Sequence, residues 1–213
     1  MYPCQLIDLG LIDYAQAYQF QKDCVQKVLN GEPQKLIFCE HPAVLTLGRM
    51  SKDSNFLWPK EEIQKENIKI LPIDRGGEVT LHAPGQLVVY PIFNLNHYGK
   101  DLKAFLHRLE EVIINVLKDR GIEGRRIDGK TGVWVERDKI ASLGVGVKKW
   151  ISFHGLSLNV SNDLELYRMI RPCGMDIRMT SIMKKCNGHG APLDIRTIMW
   201  HSFKAEFNLQ EIE

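Results

Sequence analysis

The chain has 213 residues, 44% hydrophobic and 25% charged, the proportions of an ordinary soluble globular protein with enough apolar material for a sizeable core. Its 28 basic and 26 acidic residues leave a formal net charge of +2, which excludes a global nucleic-acid field and leaves any electrostatic partner to a local patch. No apolar run approaches the roughly 18 residues of a membrane span, MYPCQLIDLGLIDYAQAYQF has no basic leader before an apolar core, and five scattered cysteines form no disulfide framework, so a cytoplasmic protein with reduced thiols is expected, without membrane or nucleic-acid partner.

In chain order, Gln5 to Leu9 suggests a short strand. Asp13 to Asn30 suggests a helix with Asp13 as N-cap and Gly31 as stop. Leu36 to Cys39 and Val44 to Leu47 read as two strands with a kinked joint at Glu40-His41-Pro42, where proline forbids a continuous ladder. Pro59 to Asn67 is a short helix opened by proline, and Lys69 to Ile73 returns to strand. Asp74 to Gln86 then packs three glycines, a proline, Arg75 and His82 between strand-like runs, a density that implies close backbone approach to something. Leu87 to Phe93 is an apolar strand, and Leu102 to Arg120 is a helix whose wide apolar stripe should lie across a sheet. A three-stranded meander follows: Val133 to Glu136, a turn at Arg137-Asp138, Lys139 to Val147, a turn at Lys148-Lys149, and Ile151 to Val160. Asp163 to Ile170 is a short helix and Pro192 to Phe207 the closing one. With no repeat, low-complexity tract or linker, residues 1–213 are expected to form a single α/β (α+β) domain, a mixed, largely antiparallel sheet flanked by helices.

The stretch Arg171-Pro172-Cys173-Gly174-Met175 displays a thiol on a shaped turn. Pro172 fixes its own φ and pushes Arg171 out of the helical region, while Gly174 permits angles that a side chain would forbid. A thiol near pKa 8.5 is only a few per cent thiolate at neutral pH, so catalysis requires a cationic or basic neighbour, for which Lys139, His82 and His154 are candidates. Lowering such a thiol to about pKa 7 needs roughly 2 kcal/mol of differential stabilisation. An ion pair at about 4 Å supplies on the order of 1 kcal/mol in water and about 4 at an effective dielectric near 20, so the pair must be shielded. Lys139 suits this, because the small and apolar Ile140-Ala141-Ser142-Leu143-Gly144 follows it. On spacing alone, the simpler readings are a solvated strand-end lysine for Lys139 and a satisfied structural histidine for His82.

The glycine-rich loop has neither the P-loop nor the dinucleotide-site order, and lining a pocket is its better reading. His154-Gly155 again pairs a histidine with a glycine that lets backbone come close. Cys173, Cys186 and His189 would supply three metal ligands, yet they lack a C-x-x-C pair and a fourth ligand, so no metal is expected. The basic pairs Arg125-Arg126, Lys148-Lys149 and Lys184-Lys185 read as solvated.

Taken together, RGGEVTLHAPGQLVVYPI, GVWV followed by KIASLGVGVKKWISFHGLSLNV, and IRPCGM resemble the octanoyl-carrier-protein:protein octanoyltransferases, the lipoyl (octanoyl) transferase B family, from about His41-Pro42 to Thr180-Ser181. Ala83 stands where the family usually has glycine. The resemblance implies the fold of biotin and lipoate ligase catalytic domains, with Cys173 and Lys139 as the catalytic pair. It places Arg75, Gly76, Gly77, Glu78, Val79, Thr80, Leu81 and His82, then Ser142, Leu143 and Gly144, then His154, Gly155 and Leu156, at the substrate pocket. It also implies an octanoyl group carried by acyl carrier protein as donor, a lysine of a lipoyl domain of a 2-oxoacid dehydrogenase E2 or of glycine-cleavage H protein as acceptor, and no cofactor. A thioester is already an activated acyl donor, which fits the lack of a nucleotide loop. The rival readings are an ATP-dependent lipoate or biotin ligase on the same fold and a carrier-protein binding module without chemistry.

Overall fold

Two aspartates start the two long helices. Asp13 accepts the Ala15 N–H and Asp101 accepts the Ala104 N–H, satisfying donors that a helix N-terminus otherwise leaves bare. The computed structural model describes residues 1–174, 176–186 and 195–212. Its elements are β1 (Tyr2–Leu11), α1 (Tyr14–Leu29), β2 (Gln34–Glu40), β3 (Val44–Leu47), α2 (Lys60–Lys65), β4 (Lys69–Pro72), β5 (Val79–His82), β6 (Gln86–Ile92), α3 (Leu102–Asp119), β7 (Gly124–Ile127), β8 (Lys130–Val135), β9 (Asp138–Lys148), β10 (Ile151–Asn159), α4 (Ile182–Lys185), α5 (Ile195–Phe207) and β11 (Leu209–Ile212). Short 3-10 turns lie at Asp53–Asn55, Leu95–Tyr98, Glu165–Met169 and Pro172–Gly174.

The described strands form an eight-stranded sheet, ordered β11-β1-β2-β6-β10-β9-β8-β7, and a three-stranded sheet, β4-β3-β5. β1 pairs in parallel with β11 and β2, whereas every pairing from β2 to β7 is antiparallel, so the large sheet is mixed and largely antiparallel as expected. Central β6 and β10 are buried along their whole length because both faces are covered. The stripe of α3, including Phe105, Leu109, Val112, Ile113, Val116 and Leu117, packs with Phe203 and Phe207 of α5 in one core cluster. At about 1.5–3 kcal/mol each, those six α3 side chains stabilise on the order of 10 kcal/mol before ordering entropy is counted. Ala17, Cys24, Val25 and Val28 of α1 join Ile37, Val88 and Tyr90 in a second cluster. A third lies against the small sheet, where Leu45 and Leu81 meet Tyr167, Met169, Ile170 and Met179 from the segments flanking Cys173. No described helix is long and apolar enough to cross a membrane.

Several local expectations change. The strands on either side of Pro42 belong to different sheets: the proline does not kink one ladder, it ends it. The glycine-rich stretch contains a strand of its own, β5, antiparallel to β3. The meander has four strands, because Gly-Arg-Arg-Ile, too polar to read as a strand, pairs with β8 as β7. Both meander turns sit one residue from the expected place, at Glu136-Arg137 and Lys149-Trp150, with φ of 55° at Glu136 and of 50° and 65° at Lys149 and Trp150. The short helix expected over Asp163 to Ile170 is a 3-10 helix over Glu165–Met169. The closing helix is described from Ile195; its expected start at Pro192 lies outside the described residues. α4 and the polar strand β11 were not expected at all.

Candidate active site

Lys139 follows the Glu136-Arg137 turn near the start of β9 and is wholly buried, at 0% exposure, which excludes the solvated reading. Its Nζ donates to the Thr131 carbonyl at 2.9 Å and lies 5.6 Å from the centroid of the Trp134 ring. Such contacts are what a buried ammonium needs, since its desolvation costs several kcal/mol. Space for the side chain comes from Gly132 of β8, at φ +131°, where a Cβ would lie 2.4 Å from Lys139 Cε. Next to it the β8–β9 ladder shifts register between Val133 and Trp134, leaving Ile140 as the extra residue on β9.

Cys173 lies in the 3-10 turn Pro172–Gly174, which packs against β5. The described part of Cys173 is its backbone, and Met175 lies outside the described residues. Gly174 takes φ +66° and its N–H donates to the Arg171 carbonyl at 3.0 Å, so the glycine is required by the turn. A Cβ here would also meet the Glu78 carboxylate, which Asn55 Nδ2 holds at 2.7 Å, so an added side chain would have to displace the tip of Glu78. Upstream, the Arg171 N–H donates to the Asn55 carbonyl at 2.7 Å. Downstream, Met179 forms a parallel bridge with Lys139: the Lys139 N–H donates to Arg178 O and the Thr180 N–H to Lys139 O, both at 2.9 Å. The chain leaving Cys173 is therefore stitched to the backbone of Lys139 itself.

Between the two sheets, a pocket with about 40 Å³ of enclosed space, about 470 Å³ when the open solvent of its mouth is included, is lined by Arg75, Gly77, Glu78, Val79, Thr80, His82, Ser142, Leu143, Gly144, His154, Gly155 and Leu156. These are the expected pocket residues apart from Gly76 and Leu81. Gly76 ties its loop to β9 by donating its N–H to the Val145 carbonyl, and Leu81 turns into the small-sheet core. Arg75 is buried among oxygens, donating to Thr46 O at 2.8 Å, Thr46 Oγ1 at 3.0 Å and Gly76 O at 2.9 Å. Gly144 has to be small, since a Cβ there would come within 3.0 Å of Arg75 Cδ. Ser142 Oγ is buried in this wall with no hydrogen-bond partner among the described residues. Ala83 is buried beside the pocket loop and is not among the positive-φ residues, so its methyl group brings no left-handed strain.

One wall exists because β10 breaks its pairing with β6. The ladder starts at Leu156, while His154, at φ 55°, turns its N–H away to Gln21 Oε1 of α1 at 2.8 Å. A Cβ on Gly155 would lie 2.2 Å from the Val89 carbonyl, so only glycine allows this approach. His154 Nε2 donates to Asp74 Oδ1 at 2.9 Å, a carboxylate oxygen that Tyr18 also reaches at 2.7 Å. Burial nonetheless brings His154 down to about 4, against the opposing pull of Asp74, so the contact at neutral pH is a hydrogen bond and not an ion pair. Burial alone would raise Asp74; the bonds from His154 and Tyr18 outweigh it and hold the carboxyl below its ordinary range.

His82 stacks on Tyr14 and meets His41 edge-on. Gln86 Nε2 donates to Leu81 O, Asn159 Oδ1 and Tyr167 Oη, which leaves Gln86 Oε1 to accept from His82 Nδ1 at 2.7 Å. Burial first, then the neighbouring His41, pushes His82 well below its ordinary value. His41, lowered mainly by burial, donates from Nδ1 to Ile12 O and accepts the Tyr90 hydroxyl at Nε2, both at 2.7 Å. Three neutral histidines thus stand around and behind the pocket.

Tyr14, Val88, Tyr90 and Ser157 also line it, and sequence reasoning missed all four. The alternation of β6 and β10 makes Val88, Tyr90 and Ser157 plausible inward positions, but nothing local marks Tyr14, 61 residues before Arg75, as part of the same wall. Lys139 is not a wall residue; it lies three positions before Ser142 on β9. Among the described residues, no three His, Cys, Asp or Glu side chains are grouped to hold a metal, and His189 of the Cys173-Cys186-His189 alternative lies outside them.

Residues 13–206 match the profile of the lipoyl protein ligase A/B catalytic domain. An octanoyltransferase of Syntrophotalea carbinolica is 44% identical over 182 residues, covering 84% of this chain and 83% of the relative. One from Thermosynechococcus vestitus is 41% identical over 204 residues, covering 95% and 89%. Among solved structures, a bipartite lipoate protein ligase from Thermoplasma acidophilum superposes with a TM-score of 0.78 at 14% identity, covering all of this chain and 87% of that one. A biotin protein ligase from Aquifex aeolicus does so at 0.56 and 13%, covering 96% and 70%. The structural neighbours establish the fold, the sequence relatives the kinship: the chain belongs to the lipoyl protein ligase A/B catalytic-domain family, and within it to the octanoyltransferases.

Proposed function

We propose that this chain moves an octanoyl group from the phosphopantetheine thioester of acyl carrier protein to the lysine of a lipoyl domain, of a 2-oxoacid dehydrogenase E2 or of glycine-cleavage H protein, through a thioester on Cys173. Octanoyl transfer itself follows from kinship with the octanoyltransferases; the donor, the acceptor and the covalent intermediate are this reading's own. Residues 1–213 act in it as one catalytic domain, in the cytoplasm, where reducing conditions keep the thiol free. The observation that carries it is the stitching of Lys139, a fully buried lysine, to the segment that leaves the Cys173 turn.

The Cys173 thiolate attacks the octanoyl carbonyl, the carbon–sulfur bond to the carrier breaks, and the departing carrier thiolate takes a proton from the Lys139 ammonium. The acceptor amine then attacks the acyl-enzyme, Cys173 leaves as thiolate, and Lys139 takes up the proton that the amine loses. Backbone N–H groups near Leu143-Gly144 stabilise the oxyanion in this scheme, because the Gly174 N–H is already engaged by Arg171. The pocket lined by Leu143, Leu156 and Val88 receives the acyl chain, with Arg75, His82 and His154 fixing its walls. The donor is already activated, so the transfer requires no ATP.

Intact mass spectrometry tests both half-reactions. With octanoyl-carrier protein the chain gains one octanoyl group, and addition of a lipoyl domain removes it. Cys173→Ala takes up none, and Lys139→Ala loses transfer by about a hundredfold or more. Full transfer by Cys173→Ala, or transfer from free octanoate and ATP without a carrier, overturns the proposal.

A further inference from the structure

A single peptide group joins Lys139 to a carboxylate on another element. The Thr131–Gly132 peptide accepts the Lys139 Nζ proton at its carbonyl, at 2.9 Å, and donates its N–H to Glu110 Oε1 of α3, also at 2.9 Å. Glu110 is itself buried, at 8% exposure, and its Oε2 receives Arg126 Nε of β7 at 3.2 Å. The same guanidinium donates Nη2 to Glu111 at 2.6 Å and to the His107 carbonyl at 2.9 Å. Arg126 is therefore engaged with α3, contrary to its expected solvation.

We infer that Glu110 is a positioning residue for Lys139, acting through the Thr131–Gly132 peptide; the inference rests on the catalytic reading of Lys139 proposed above. Two physical effects support the role. An amide whose N–H donates to a carboxylate is polarised toward its oxygen, which strengthens that oxygen as an acceptor for an ammonium. Gly132, at φ +131° and without a side chain, has nothing of its own to hold the peptide plane, and Glu110 fixes the plane so that the carbonyl stays aimed at Nζ. The charged groups in the network are Arg126 from β7, Glu110 and Glu111 from α3, and Lys139 from β9. A merely structural Glu110 would need only Arg126; its second oxygen is spent on the peptide that holds the lysine.

The experiment uses the full chain and compares Glu110→Gln, Glu110→Ala and Lys139→Ala by steady-state octanoyl transfer, with kcat and donor KM separated, thermal melting, and NMR of 13C-labelled lysine. Glu110→Gln keeps an oxygen to accept the Gly132 N–H and loses the charge. It folds, and its kcat falls about tenfold with donor KM unchanged, because the Thr131 carbonyl has lost the negative charge that polarises it toward Nζ. Glu110→Ala loses roughly a further tenfold. In both Glu110 variants the 13Cε resonance of Lys139, identified by its disappearance in Lys139→Ala, leaves its wild-type position. A folded Glu110→Gln with wild-type kcat and an unmoved Lys139 resonance overturns the inference. Full transfer by Lys139→Ala overturns the proposed function instead, and the resonance then decides the Glu110 contact alone.

Discussion

Gly132 and Lys139 occupy one volume: the hydrogen of the glycine lies where a methyl group would sit 2.4 Å from Lys139 Cε and 3.0 Å from Nζ. The lysine is threaded through a gap that the smallest residue keeps open, one position from the bulge that Ile140 makes in β9. Gly132→Ala is expected to push the ammonium off the Thr131 carbonyl and to strain the backbone at φ +131° at a cost of about 1–3 kcal/mol. Transfer falls tenfold or more, as a loss in kcat, in steady-state assays of the folded variant.

The Gly174 turn gives a prediction with a built-in rescue. Gly174→Ala collides with the Glu78 carboxylate and carries the left-handed cost of about 1 kcal/mol. The colliding atoms are the tip of a flexible side chain, so Gly174→Ala/Glu78→Ala recovers part of the activity that Gly174→Ala loses. A double variant no better than the single one would show that φ, and not the contact, governs this turn.

Ser142 places a buried, unpartnered hydroxyl in the pocket wall. An orphan of this kind costs about 1–3 kcal/mol in the empty enzyme, so Ser142→Ala is expected to melt at the same temperature as wild type or a few degrees higher. If substrate supplies the missing partner, the same variant raises donor KM several-fold. Melting curves and KM separate the two effects.

The buried histidines set the acid limit of stability. His154 falls from an ordinary value near 6.5 to about 4, so between those values the unfolded chain binds a proton that the folded chain refuses. The stability its neutral burial allows is complete above pH 6.5 and is lost as pH falls toward 4, by about 3 kcal/mol at most. His82 and His41 are shifted in the same direction. Urea midpoints should decline steadily from pH 7 to pH 4, with His154→Gln declining less.

How much of this was legible in the sequence depended on distance along the chain. Asp13 and Asp101 sit one residue from the helices they cap, and both helices were readable. The pocket motifs were readable because each is a contiguous run whose glycines have a backbone reason to be there, such as Gly144 under Arg75 and Gly155 under Val89. The second sheet was not, because Pro42 signals a break but not which sheet the chain enters next. Tyr14 and Glu110 were invisible for a different reason: each lies in a helix whose pattern is fully explained by amphipathicity, and only the fold shows that one helical turn faces the pocket and another the Thr131–Gly132 peptide.

The Gln21–His154 bond spans 133 residues and replaces a rung that β6 would otherwise have supplied to β10. A side chain from the first helix therefore closes a gap in the centre of the main sheet, like a plug seated from outside. Until α1 has docked, the His154 amide has no partner and the wall bearing Tyr14 and His154 is incomplete. The amide of His154 should accordingly exchange with solvent at the rate at which α1 lifts from the sheet, faster than its neighbours in β10, and would serve as a one-residue gauge of whether the pocket is assembled.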